Sequence, residues 1–167
     1  MKKILLFTVM SLLLFSCTKT GKKANVFTND LENAKFWSNS FTLVKGIAHS
    51  GTYASKLDTS NIYSFGFQSV LNNILTKTPK KINVTVWVYS LQPNLDGSLV
   101  VDINNNGQTV YWNSAGLKAV TKTKEWTEVK ASFNLPANLD IKDELKIYVW
   151  NPKKFNFYID DLSITFE

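Results

Sequence analysis

The sequence predicts an all-β sandwich, on three observations. Residues 82–90 and 145–150 alternate apolar and polar side chains with a period of two, the mark of half-buried strands. About nine or ten short segments of strand composition follow one another at roughly ten-residue spacing, parted by turn residues. No stretch sustains the period of an amphipathic helix.

The 82–90 strand anchors the reading. Ile82, Val84, Val86 and Val88 point to one side, toward a core, and Asn83, Thr85, Trp87 and Tyr89 point to the other. In 145–150, Leu145, Ile147 and Val149 face in, while Lys146, Tyr148 and Trp150 face out. An outer sheet face ordinarily carries Thr, Lys and Glu. Indoles and phenols there suit a surface that binds something flat and weakly polar, or a face covered by another part of the chain or by a partner.

The remaining elements fall in order around these two. Residues 26–32 read as a first short strand, Phe36 and Trp37 as a core plug, 41–44 as a strand and 45–51 as a loop. Strands at 53–58 and 62–69 follow, and 70–78 reads as one helical turn or a wide loop. Pro79, Lys80 and Lys81 lead into the 82–90 strand, and 93–97 turns into a strand at 98–103. The run Asn104, Asn105, Asn106, Gly107 is a hairpin turn, since Asn-Gly accepts the left-handed backbone such turns need; 108–113 returns from it. Residues 126–135 alternate imperfectly through Trp126, Val129, Ala131 and Phe133, and 145–150 and 155–166 close the domain. There is no internal repeat and no interdomain linker.

Ahead of this domain stands a leader. Lys2 and Lys3 give a positive start, and 4–15 is an apolar run too short for an ordinary membrane span. Leu14, Phe15, Ser16 and Cys17 then resemble a bacterial lipobox, with Phe15 bulkier than the commonest choice. Cys17 is the only cysteine, so no intrachain disulfide forms and the fold rests on its core. The resemblance implies residues 1–16 as a lipoprotein signal peptide, a diacylglyceryl group on the Cys17 thiol and an acyl chain on its new amine. Several acyl chains hold a protein to a bilayer where one would not. Residues 17–24 are then the lipidated cysteine and a lysine-rich tether, and 25–167 the sandwich domain. The expected place is the bacterial cell envelope, at the outer membrane; periplasmic and surface-facing orientations both stay open.

With 167 residues, 44% hydrophobic and 13% aromatic, the chain suits one globular domain after processing. The formal charge is +6, and all 19 basic residues are Lys. Scattered lysines without a single Arg weigh against nucleic acid, where Arg forks onto guanine and phosphate are the usual tools.

Beyond the leader, the order of motifs is familiar. Asn29-Asp30-Leu31-Glu32, Phe36-Trp37 and Ala48-His49-Ser50-Gly51-Thr52-Tyr53-Ala54 resemble the opening of jelly-roll carbohydrate-binding modules, the galactose-binding-domain-like sandwiches attached to xylanases and glucanases. Val84-Thr85-Val86-Trp87-Val88 is similar to their central strand, and Glu125-Trp126-Thr127-Glu128 with Phe133 to the strand that follows. Phe157-Tyr158-Ile159-Asp160-Asp161-Leu162-Ser163 resembles their closing strand. The similarity runs from Asn29 to Phe166.

The resemblance implies a polysaccharide or glycan as partner and an aromatic platform to hold it. Trp87 matches the tryptophan that lies under a sugar ring. Tyr148-Val149-Trp150 stands where such modules read Tyr-x-Glu, so the tyrosine matches and the acid is replaced by a second ring. Tyr111 matches another binding tyrosine, and Tyr89 and Lys146 flank the platform. The family's Arg is absent, with Ser60 and Asn61 in its place, so the polar half of the site is altered. Pyranose faces present C–H groups that sit well on electron-rich rings. The hydroxyls then need planar donors and acceptors such as Asn83, Gln108 or Lys146.

These modules commonly hold a structural calcium, and the resemblance places it at Glu32 with Asp160 or Asp161. Loop oxygens near Ser50 and Tyr53 would complete the cage, since calcium takes oxygen ligands. The lone His49 reads as a turn residue rather than a zinc ligand.

No catalytic set stands out. One His and a Cys committed to lipid support neither a serine triad nor a Cys–His pair. Asp102, Glu128 and Glu144 show no spacing that singles out a glycosidase pair. Two functions remain: a membrane-anchored, non-catalytic glycan-binding lipoprotein, or a structural or interaction lipoprotein that docks an envelope protein partner with the same sheet face.

Overall fold

The computed structural model describes residues 25–33 and 37–167, so the leader, Cys17, the tether and Phe36 lie outside the described residues. Among the described residues, eleven strands form two antiparallel sheets. The strands are β1 (Asn25–Asn29), β2 (Trp37–Ser38), β3 (Leu43–Lys45), β4 (Tyr53–Leu57), β5 (Gly66–Val70) and β6 (Lys81–Ser90). After them come β7 (Ser98–Asn105), β8 (Gln108–Gly116), β9 (Trp126–Asn134), β10 (Glu144–Trp150) and β11 (Phe157–Phe166). The six-stranded sheet runs β3-β4-β11-β6-β9, with β1 also on β11. The five-stranded sheet runs β2-β5-β10-β7-β8.

The inward sides are those the alternation predicts. Ile82, Val84, Val86 and Val88 of β6 and Leu145, Ile147 and Val149 of β10 are all buried in one core. Leu99, Val101 and Ile103 of β7, Val129 and Phe133 of β9, and Phe157, Ile159 and Ile164 of β11 join them there. Each such side chain contributes about 1.5–3 kcal/mol relative to exposure, which is the sheets' reason to face each other. At one edge Trp37 stacks on Phe65, with ring centroids 5.6 Å apart and 4° between planes, and meets Phe67 edge-on, so it packs as expected.

Two early strands are shorter than the sequence reading. The first strand stops at Asn29, because Leu31 adopts a left-handed backbone (φ 62°) and its N–H donates to the Asn29 side chain. The strand expected at 62–69 begins only at Gly66, with Tyr63 making a lone bridge to Trp150. The 70–78 segment holds a single 3-10 turn, Leu71–Asn73, in line with the helical turn expected there, and it buries Leu71.

Two irregularities interrupt the ladders. In β11 the pairing with β6 slips between Asp160 and Ser163, and Asp161 takes φ 47°. In the β7–β8 hairpin the register shifts between Ile103 and Asn104. Each is a bulge, which re-aims the side chains on either side of it.

Candidate functional site

The outward side chains of β10 are fixed by its inward ones. With Leu145, Ile147 and Val149 in the core, Lys146, Tyr148 and Trp150 stand on the outer face of the five-stranded sheet. Residues in register across a ladder share a face. Lys146 pairs with Gln68 on one side and Asp102 on the other, and Asp102 with Trp112, which makes one transverse row. Tyr148, Val100 and Ser114 make the next row, and Trp150, Ser98 and Gly116 the third.

Four rings gather on this face. Tyr63 and Tyr148 meet edge-on with centroids 5.5 Å apart, and Trp112 and Trp150 do so at 6.3 Å. Tyr63 is 44% exposed and Trp112 47%, so both offer ring surface to solvent. Gly66 leaves the room that Tyr148 uses, since a Cβ there would come within 2.9 Å of the Tyr148 Cβ. Beside the rings lies a groove of about 320 Å³ lined by Tyr63, Tyr148, Asn39, Gln68, Asp102 and Lys146.

The polar side of the groove is wired together. The Gln68 amide donates to Glu144 Oε1 at 2.7 Å, and Lys146 Nζ lies 3.3 Å from Glu144 Oε2. That amide, aided by Lys146, holds the Glu144 carboxyl below its ordinary range. Burial pushes the Tyr148 hydroxyl up, with Asp102 and Tyr63 adding to the shift and the Trp112 indole N–H opposing it. Tyr148 is therefore a neutral donor and acceptor at neutral pH.

Trp87 and Tyr89 are not part of this platform. They lie on β6 in the six-stranded sheet, and outward from that sheet is the opposite side of the sandwich. Both strands alternate as expected, but local periodicity does not say which sheet a strand joins. Trp87 is covered on one face by the His49 imidazole, with centroids 3.8 Å apart. Tyr89 packs among Trp126 and Tyr158. Asn83 accepts a hydrogen bond from Ser132 and donates one to Glu167.

Tyr111 is also displaced. It pairs with Ile103, which is fully buried, so its ring packs against the core and its hydroxyl accepts from Asn113. Trp112 takes the outward place instead. Of the predicted residues the structure thus brings together Tyr148, Trp150 and Lys146, and the sequence reading missed Trp112, Tyr63, Gln68 and Asp102. Tyr63 gave no local signal, because it stands on an irregular segment before β5.

The carboxylates expected to hold calcium are spent on other donors. Glu32 Oε1 accepts the Thr52 and Tyr53 N–H groups at 2.6 and 2.8 Å. Asp160, fully buried, accepts the N–H groups of His49, Ser50 and Asp161. Asp161 accepts from the Ser50 hydroxyl at 2.7 Å and lies 2.5 Å from His49 Nδ1. Ser50 and Tyr53 thus meet these carboxylates through their N–H groups, and Ser50 through its hydroxyl as well. Among the described residues no three acidic, His or Cys side chains converge as a metal site. Asp160 and Asp161 clamp the 46–53 loop onto β11, and Glu32 holds the same loop from its other side.

No protein-family model matches the chain, and no curated protein does. Solved structures do. The CBM22-2 xylan-binding domain from Paenibacillus barcinonensis Xyn10C matches with a TM-score of 0.58 and 20% identity, over 84% of this chain and 99% of that one. The CBM22-1 xylan-binding domain of the same protein matches with a TM-score of 0.57 and 10% identity, over 87% and 97%. The fold is a jelly-roll β-sandwich, the fold of these neighbours. A xylan-binding domain from CBM 22, formally the x6b domain, agrees at a TM-score of 0.53 and 14% identity, over 87% and 97%. At such identities the likeness is one of fold; what this jelly roll binds has to be argued from its own side chains.

Proposed function

We propose that this chain is a non-catalytic glycan-binding lipoprotein whose binding face is the outer surface of the five-stranded sheet. The observation that carries the reading is the set of four rings, Tyr63, Trp112, Tyr148 and Trp150, beside a polar groove. Sugar rings stack on such side chains, and Gln68, Asp102 and Lys146 meet the hydroxyls. The jelly-roll neighbours are described as xylan-binding, which supports a polysaccharide ligand. The lipobox-like Leu14-Phe15-Ser16-Cys17 supports attachment to the bacterial envelope through lipid on Cys17, at the outer membrane.

The test is a tryptophan-fluorescence titration of the purified chain against xylan, β-glucan, mannan and host-type glycans. One class is expected to saturate, with affinity at least tenfold weaker in Trp112→Ala and in Trp150→Ala. Each tenfold step corresponds to about 1.4 kcal/mol, within reach of one lost stacking contact plus its buried area. No saturable change across the panel, with the wild-type domain folded, would overturn the reading. It would turn the search to an envelope protein docked on the same rings.

A further inference from the structure

The other face of the sandwich carries a larger trough. On the six-stranded sheet Thr28 of β1 pairs with Ser163 of β11, Ser163 with Thr85 of β6, and Thr85 with Lys130 of β9. Cross-strand partners share a face, so three hydroxyls stand in one transverse row. Adjacent strands lie about 4.8 Å apart, so the row has the width of a sugar ring or two. None of the three hydroxyls makes a side-chain hydrogen bond among the described residues. Each is a free donor and acceptor.

The next row supplies a ring and acids. Trp87 pairs with Glu128 across the β6–β9 ladder, and the β11 bulge places Asp161 beside it. Together with Asp30 these residues line a trough of about 700 Å³. The indole is held in a fixed plane by His49 on one side. Lys130 is paired with Glu128 at 2.8 Å and Asp161 is engaged by Ser50 and His49, so Asp30 carries the open acceptor of the trough, and the two aspartates set its negative sign. Neutral sugar hydroxyls donate well to such acceptors, whereas uronates and sulfates are repelled.

We propose that this trough is a second binding site, for neutral polysaccharide chains. The hydroxyl row of Thr28, Ser163 and Thr85 and the acids at its margin meet the sugar hydroxyls, and Trp87 bounds one end. If the aromatic face of the five-stranded sheet binds glycan too, one module holds two chains, and avidity on a polymer exceeds that of either site.

The experiment is isothermal calorimetry with neutral hexasaccharides of xylan, β-glucan and mannan, and with a polygalacturonate hexasaccharide. It uses the wild-type chain, the Trp112→Ala/Trp150→Ala chain, and the latter with Thr85→Val and Ser163→Ala added. These last two changes remove hydroxyls while keeping shape, and circular dichroism checks the fold of each variant. The expected result is that the Trp112→Ala/Trp150→Ala chain still binds one equivalent of a neutral hexasaccharide and none of the polygalacturonate. Adding Thr85→Val/Ser163→Ala weakens that binding tenfold or more. A folded Trp112→Ala/Trp150→Ala chain that binds no neutral hexasaccharide would overturn the trough while leaving the aromatic face standing. So would unchanged affinity on adding Thr85→Val/Ser163→Ala. Binding by the wild type that the Trp substitutions leave untouched and the hydroxyl deletions remove would support the trough and sink the aromatic face.

Discussion

The imidazole of His49 lies flat on the indole of Trp87, with ring centroids 3.8 Å apart and planes 15° from parallel. The contact joins the 46–53 loop to the centre of the six-stranded sheet, and Trp126 closes on the same imidazole edge-on at 5.6 Å. Trp87 is therefore a buttress for the loop as well as a wall of the trough. Trp87→Ala is expected to cost about 2 kcal/mol, short of the 3–5 kcal/mol lost when a fully buried aromatic is truncated. Chemical denaturation measures the loss. Hydrogen exchange should quicken at the His49 and Ser50 amides before the rest of the sheet, and equal protection there in both proteins would refute the buttress.

The same loop sets an expectation about calcium. Glu32, Asp160 and Asp161 already accept hydrogens from Ser50, Thr52, Tyr53 and His49. A cation would compete with those donors for the carboxylate lone pairs. A structural calcium at a hundredfold its Kd would add about 2.7 kcal/mol and raise the melting temperature by several degrees. The expected outcome is no shift with millimolar calcium or with EDTA. A reproducible rise with calcium, lost in Glu32→Gln, would restore the metal to this site.

Asp160 gives the clamp a pH dependence. Burial pushes its carboxyl up to about 6 from the ordinary 3.8, against the N–H groups of Ser50, Asp161 and His49, while the neighbouring Asp161 charge adds to the rise. The folded state then keeps a proton that the unfolded chain has lost. Asp160's contribution to stability is fully present below about pH 4 and is lost as pH rises through 6. Over that window the wild-type melting temperature should fall relative to that of Asp160→Asn, which cannot titrate. Parallel curves for the two proteins would show that the folded carboxyl ionises in its ordinary range.

How far the sequence reached depends on whether a feature is local. The inward sets Ile82, Val84, Val86, Val88 and Leu145, Ile147, Val149 were legible, because alternation with a burial partner is written into consecutive residues. So was the all-β sandwich, which rests on many short strands, while the jelly roll was implied by the resemblance of the motifs. The division of Trp87 and Tyr148 between opposite faces was not legible, since it depends on pairings between β6 and β11 and between β10 and β7 that are remote in the chain. Tyr63 was missed for a related reason: its place comes from one bridge to Trp150 and not from a strand of its own.

The choice between Tyr111 and Trp112 turns on a single extra residue. Asn105 pairs with Gln108 and Asn104 with Thr109. Regular counting would then set Tyr111 opposite Asp102, on the outer face, as the sequence predicts. The bulge leaves Val110 without a partner, so Tyr111 falls opposite buried Ile103 and Trp112 opposite Asp102. The two neighbours should therefore part company in binding. Tyr111→Phe keeps the ring against the core and loses only the hydroxyl that accepts from Asn113, so glycan affinity should stay within about twofold, well under the 1.4 kcal/mol of a tenfold change. Trp112→Ala removes a half-exposed ring, so it should leave stability within about 1 kcal/mol while weakening binding at least tenfold. Titration of both variants against the same glycan decides it. Loss of binding in Tyr111→Phe with Trp112→Ala unaffected would mean that the hairpin pairs without the bulge.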